Sequence, residues 1–270
     1  MKIIVFLFAF SISHNLFSQP KVEVFSLKSG ADINILANNE EYCPVSMVLD
    51  LNIENLASNK GSQKTFVIPA KSKNYILLTL QKINEFVGYN YSYNLTSIKG
   101  DITINEIDTN YQYDLPFLKN NSFQVQQGYF GRFTHQNERA LDFTMPIGTK
   151  VSAARDGIVI TLVQNNTQHC SNPRCIDFNN YIEILHSDGT IANYSHLKYK
   201  SSHLLLGDKV EQGEVIAESD ETGFTSGPHL HFICYVADFN DKKTIPTLFK
   251  INDGKTATYL TEQNFYTKNY

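Results

Sequence analysis

The sequence has no tryptophan, and from Lys21 to Asp114 it has no histidine. Without an imidazole, and with its acidic residues scattered, that stretch offers neither a metal-binding cluster nor a proton-transfer pair. It reads as a positioning or interaction domain. Charge is also sparse: charged residues make up 19% of the chain and the formal net charge is −4. There is no basic surplus to hold a phosphate backbone, which excludes nucleic acid as an expected partner. Long apolar runs are missing as well. After Ile12 no segment is long and apolar enough to cross a bilayer, so no integral membrane segment is expected in the mature chain. What remains is an ordinary globular balance, 42% hydrophobic, with 15 Tyr and 18 Phe. Aromatic and β-branched residues suit a pleated, half-buried surface, so the composition leans toward sheet.

The start of the chain predicts a compartment. Lys2, the apolar run Ile3 to Ile12, polar Ser13-His14-Asn15 and then Leu16-Phe17-Ser18-Gln19 have the order of a secretory signal peptide over residues 1–19. The mature chain is then expected to begin near Gln19 or Pro20, secreted or periplasmic, in an oxidising space. No cysteine lies near that cut, so a lipid anchor there has no support. Of the four cysteines, Cys170 and Cys175 bracket a short loop that Pro173 would bend, and a disulfide is expected there. No second Cys pair has the spacing of a zinc knuckle. Pairing of Cys43 with Cys234 is left open.

From Lys21 to about Asp114, short apolar runs alternate with polar turns: Val45 to Ile53, Thr65 to Ile68, Tyr75 to Leu80, Ile102 to Ile107. This predicts a β-sandwich-like domain over residues 20–115. Past Tyr113-Asp114-Leu115-Pro116, glycine becomes regular and strand-like runs lie between the glycines. Asp156-Gly157 and Asp188-Gly189, each flanked by apolar stretches, read as hairpin turns. Gly148-Thr149-Lys150-Val151 is echoed by Gly207-Asp208-Lys209-Val210, a hint of two copies of a small β unit.

The strongest chemical signal is Gly227-Pro228-His229-Leu230-His231-Phe232. On a strand, residues two apart share a face about 6.6 Å apart, so Leu230 and Phe232 can enter a core while His229 and His231 face a cleft together. Alone, such a pair is as readily two solvent-facing histidines on an edge strand. Upstream, however, stand His196, His135 and Asp142. The last is an aspartate in an apolar strand-like setting, where it needs an ion or a partner. Two histidines and a carboxylate, with the fourth position left to water, make a recognised catalytic zinc arrangement, and neutral histidines move protons near pH 7. His169 and His203 read as surface residues.

Five motifs occur in order. They are Asp142-Phe143-x-Met145-Pro146-x-Gly148-Thr149-x-Val151; Ala153-Ala154-x-Asp156-Gly157; His186-x-Asp188-Gly189-Thr190; Tyr194-x-His196-Leu197; and Thr222-Gly223-x-x-x-Gly227-Pro228-His229-Leu230-His231-Phe232. In these the chain, from roughly Gly128 to Val236, resembles the lysostaphin/LytM-type zinc peptidases. The resemblance implies an all-β chain with an antiparallel peptidase domain of the duplicated hybrid motif type over residues 116–250, followed by a tail over 251–270. It implies one Zn2+ per chain and endopeptidase action on peptidoglycan or another Gly/Ala-rich peptide. Carried over by motif, His135, Asp142 and His231 are the metal ligands, His196 and His229 the catalytic non-ligands, and His186 a structural residue of its turn. One position departs from the pattern. The family's first ligand histidine stands four residues before the Asp, where this chain has Glu138; the nearest histidine, His135, is seven before. The all-polar Gln136 to Arg139 suits a turn that would bring His135 back, but Glu138 remains a rival. Two other function classes compete: a metal-free binding or activator module of the same fold acting on cell-wall hydrolases, and a carbohydrate- or polymer-binding β protein.

Overall fold

The computed structural model describes residues 20–270. The expected signal peptide lies outside the described residues. Nearly every element is a strand, and most strand pairs are antiparallel.

Two small sheets come first along the chain. Val22–Ser29 and Asp32–Asn39 make a hairpin in unbroken register, turned by Gly30 at φ 64°. Tyr75–Lys82 and then Leu56–Ser58 extend that sheet. The second sheet sets Val45–Glu54 between Thr65–Ile68 and Asn90–Lys99. Ile35, Met47, Leu49, Ile68 and Leu80, drawn from both sheets, are fully buried in one shared core. Ile102 to Ile107 was expected to be a strand and is not. Ser46 Oγ accepts from Ile102 N, and Asp101 Oδ1 accepts from Thr103 N, so side chains take over the bonds a ladder would make. The partner of Val45–Glu54 is instead Asn90–Lys99. Its alternation of tyrosine with Asn and Ser offers no apolar run, yet it packs Tyr91 and Tyr93 onto the core.

Beyond Tyr113 a nine-stranded sheet dominates. Its middle runs Gly157–Val163, Tyr181–Leu185, Ile191–Ser195, Leu230–Val236, Ala140–Phe143, Ser122–Gln127. One face carries Leu141, Phe143, Tyr194, Phe232 and Cys234 into a core completed by Phe117 and Phe249. The other face carries Ala140, Ile191, Ile233 and Tyr235, which Cys43 of the first half covers. Asp188-Gly189 turns a hairpin as expected. Leu185 pairs with Ile191, Gly189 sits at φ 83°, and Asp188 Oδ1 accepts from Thr190 N. Asp156-Gly157 does not. Lys150–Ser152 pairs with Val215–Glu218, while Gly157–Val163 pairs with Tyr181–Leu185. The glycine is needed for closeness rather than turning, because an added Cβ would collide with Leu185 O and Ile184. Both members of the internal echo are left-handed glycines, Gly148 at φ 84° and Gly207 at φ 92°, each leading into a strand.

Residues 251–270, expected as a tail, are part of the architecture. Phe265–Thr267 pairs with Ser122–Gln127, and buried Lys268 donates to Leu115 O. Cys170 and Cys175 are bonded, their Cα atoms 5.8 Å apart. Cys43 and Cys234 are both free and buried. They belong to cores on opposite faces of the large sheet, which keeps them from pairing.

Candidate metal centre

Asp142 lies on the strand Ala140–Phe143, between two cross-strand neighbours. His231 is directly opposite on one side and Gln127 on the other, and Ser195 pairs with His231 one strand further. Directly opposed residues share a face with Cβ atoms about 5 Å apart, so the ladder alone sets a polar row across the sheet. Leu141 and Phe143 fill the other face, which fixes the register. A slip of one residue would bury Asp142 in the aromatic core.

His135 reaches this row from a loop. It is fully buried, and its Nδ1–H donates to Gly128 O at 3.1 Å, which leaves Nε2 as the lone-pair nitrogen. That Nε2 lies 3.3 Å from Asp142 Oδ1 and 3.2 Å from His231 Nδ1, and the His231 Nδ1 to Asp142 Oδ1 distance is 3.0 Å. Tetrahedral zinc with bonds near 2.0–2.1 Å spaces its ligand atoms about 3.3 Å apart. Two imidazole nitrogens and a carboxylate oxygen at this spacing fit such an ion in number, type and distance. His135, Asp142 and His231 are the group that could hold a metal among the described residues. Burial alone would raise the Asp142 carboxyl, but the His135, His231 and His229 imidazoles that face it outweigh burial and hold it well below the usual carboxylate range. It therefore stays ionised.

Glu138 stands apart from that group. Its N donates to His135 O at 3.0 Å, closing a turn, and the strand begins only at Ala140. Strand alternation therefore does not carry from position 138 to 142. The same turn folds His135 back under Asp142.

Two more histidines face the group. His229 precedes His231 by two on the same side, with Nε2 3.6 Å from Asp142 Oδ1. Its Nδ1–H donates to Gly227 O at 2.9 Å, with Thr225 Oγ1 alongside at 3.2 Å. His196 follows Ser195, so an extended chain would aim it away from the site. It adopts φ 63°, a left-handed conformation that costs a non-glycine residue of order 1 kcal/mol. Asn179 Oδ1 accepts from its N, and its Nδ1–H donates to Thr222 O at 2.7 Å. The result is a His196 ring 4.5 Å from His229 and 6.1 Å from His231. Burial, with the charges of His229 and His231, pushes the His196 imidazole down to about 3. Burial also lowers His229, against the pull of Asp142. Both rings are neutral at pH 7, with Nε2 lone pairs toward the site.

The remaining histidines among the described residues lie elsewhere. His203 is exposed, and His169 is half-exposed beside Glu221 Oε1 at 3.3 Å. His186 is buried in the hairpin turn, its Nδ1–H donating to Asp156 O at 2.7 Å while Nε2 has no partner. Burial pushes it down to about 4. The unfolded value is about 6.5, so the folded state binds this proton less well than the unfolded chain does. The stability it contributes is therefore complete above about pH 6.5 and falls as pH drops toward 4. Between pH 7 and pH 5 the loss should be about 2 kcal/mol. Urea unfolding at the two pH values should show a loss larger by about this amount in the wild type than in His186→Gln, because buried His196 contributes a slope of its own in both. Equal slopes would contradict it.

Sequence reasoning gave no site role to Gln127, Gly128 or Thr222, although Thr222 heads the last of the five motifs; their polar groups fix the tautomer or orientation of the site residues. Their partners are up to 26 residues away and are set by folding.

Residues 136–244 match the sequence model of Peptidase family M23, a match that begins one residue past His135. An uncharacterized metalloprotease of Buchnera aphidicola subsp. Baizongia pistaciae is 34% identical over 121 residues, 43% of this chain and 29% of that protein. The peptidoglycan DD-endopeptidase ShyC of Vibrio cholerae is 36% identical over 95 residues, 35% of this chain and 19% of that protein. The glycyl-glycine endopeptidase ALE-1 of Staphylococcus capitis is 28% identical over 137 residues, 49% of this chain and 35% of that protein. The chain thus spans well under two thirds of the length of each of these relatives.

Proposed function

Because residues 136–244 match the model of peptidase family M23, we propose that this chain is a zinc-dependent metalloendopeptidase acting on peptide bonds of peptidoglycan stem peptides or cross-links. The observation that carries the reading is one constellation. Three ligand atoms at zinc spacing converge at Asp142, and two neutral imidazoles look onto the same spot. Relatives named for DD- and glycyl-glycine endopeptidase action support a bond between small residues. The signal-like residues 1–19 support action outside the cytosol. Residues 20–115 would be an accessory domain that positions the peptidase domain, which runs from residue 116 to 270.

His135, Asp142 and His231 would hold the ion, which supplies a Lewis acid for the scissile carbonyl and acidifies a water to about pKa 7. The chain's own residues do the rest. His229 Nε2, kept the more basic of the pair by Asp142, accepts a proton from the attacking water. It then donates that proton to the departing amine. His196, 4.5 Å from His229, cannot share a second positive charge with it and stays neutral through the cycle. The Gly227 and Thr222 carbonyls hold both rings in the tautomer this requires.

Hydrolysis of purified peptidoglycan should stop when a strong chelator strips the protein, and return when zinc is added back. Undiminished cleavage in excess chelator would overturn the assignment. A metal-free binding module would need a broken ligand set, whereas His135, Asp142 and His231 lie together here.

A further inference from the structure

We propose that Gln127 is a positioning residue of this centre, tying the loop that carries His135 to Asp142. The inference rests on the metal-centre reading above and concerns how this chain meets it with a displaced histidine. Gln127 is 5% exposed and closes the strand Ser122–Gln127 directly opposite Asp142. Its Nε2 donates to Asp142 Oδ2 at 3.0 Å, the carboxylate oxygen turned away from the histidine pair, and to Thr134 Oγ1 at 2.8 Å. Its Oε1 accepts from Phe133 N at 3.0 Å and Thr134 N at 3.1 Å. One amide thus uses both donors and both lone pairs. Three of those bonds go to the two residues before His135 and the fourth to the carboxylate His135 must meet.

The neighbours serve the same loop. Gly128 O accepts from His135 Nδ1–H, and Gly128 N donates to Glu262 Oε1 at 3.0 Å. Gly131 packs so tightly on Gln127 that an added Cβ would collide with its Cγ. The loop is otherwise open: Arg132, Phe133, Thr134, Gln136 and Asn137 are exposed. An exposed loop orders a ligand only if something pins it, and an imidazole displaced by about 1 Å loses its place in a tetrahedron. Gln127 supplies that pin and couples it to the carboxylate orientation.

The test is zinc affinity of the metal-stripped full chain, measured by competition with a chromophoric chelator, alongside the thermal midpoint of the stripped form. Gln127→Met keeps the volume and removes all four bonds. Gln127→Asn keeps the amide but is one methylene too short to span loop and carboxylate, and it serves if the Met variant does not fold. Either should bind zinc about 10–100-fold more weakly than wild type. Cobalt(II) bound in its place should show a visible spectrum altered from wild type, as the ligand geometry changes. A merely structural role would lower the thermal midpoint and leave affinity and spectrum unchanged in the folded protein, and that result overturns the proposal. Wild type that takes up no zinc overturns the metal centre and this role together. Wild type that binds beside an equally tight variant overturns the role alone.

Discussion

His135→Ala should lose both metal and hydrolysis, and Glu138→Gln should keep both. The two positions compete because the family's usual spacing points to 138. A carboxylate there would give two anionic ligands and one histidine, a site with less positive charge to stabilise hydroxide. The fold argues for the histidine. His135 is fully buried with Nε2 3.3 Å from Asp142, whereas Glu138 sits in a turn before the strand begins. A catalytic zinc held by three protein ligands cannot lose one and keep its place. Replacing Asp142 or His231 by alanine should likewise strip the ion. Metal content by elemental analysis, read beside turnover, separates the cases. A metal-loaded, active His135→Ala would move the ligand to Glu138 or elsewhere.

His229→Ala and His196→Ala should instead keep most of their zinc and lose turnover. Neither Nε2 belongs to the ligand group, and each ring is fixed from behind by a backbone carbonyl rather than by the ion. Loss of a positioned acid–base group typically costs about 10²–10⁴ in rate. His229 should sit at the upper end, since Asp142 keeps it the stronger base. His196→Ala should cost less in proton transfer, and because alanine keeps the Cβ the left-handed backbone stays as costly as before. If His229→Ala emptied the site as completely as His231→Ala, the roles within the pair would be reversed.

Much of this site was legible before any coordinates. Alternation of Leu230, Phe232 and Cys234 with His229 and His231 predicted which side chains share a face, because a strand period of two leaves one answer once the core side is known. Asp142 stood out as an acid among apolar neighbours. What stayed hidden depends on non-local pairing. His196 faces the site only because its backbone turns left-handed, which no pattern announces. Gln127 matters because Asp142 lies opposite it across a bulged ladder. Asp156-Gly157 looked like a hairpin because local chemistry cannot tell a glycine that turns the chain from one that lets two strands close up. The strand Asn90–Lys99 was missed because tyrosine alternating with amide and hydroxyl residues buries a face without an apolar run. The expected tail proved structural because its strand pairs with residues about 140 positions earlier, a contact that only tertiary folding supplies.

The central claim, that this chain cuts peptide bonds in peptidoglycan with the His135–Asp142–His231 centre, is tested most directly by mass spectrometry. Purified peptidoglycan would be digested by zinc-loaded chain, and by His231→Ala in parallel, and the released fragments compared. The account predicts fragments from the loaded wild type that have gained one water at a peptide bond and carry a new amino terminus, with none from the variant. Intact peptides after digestion by a protein that demonstrably holds zinc, or identical fragments from His231→Ala, would contradict it.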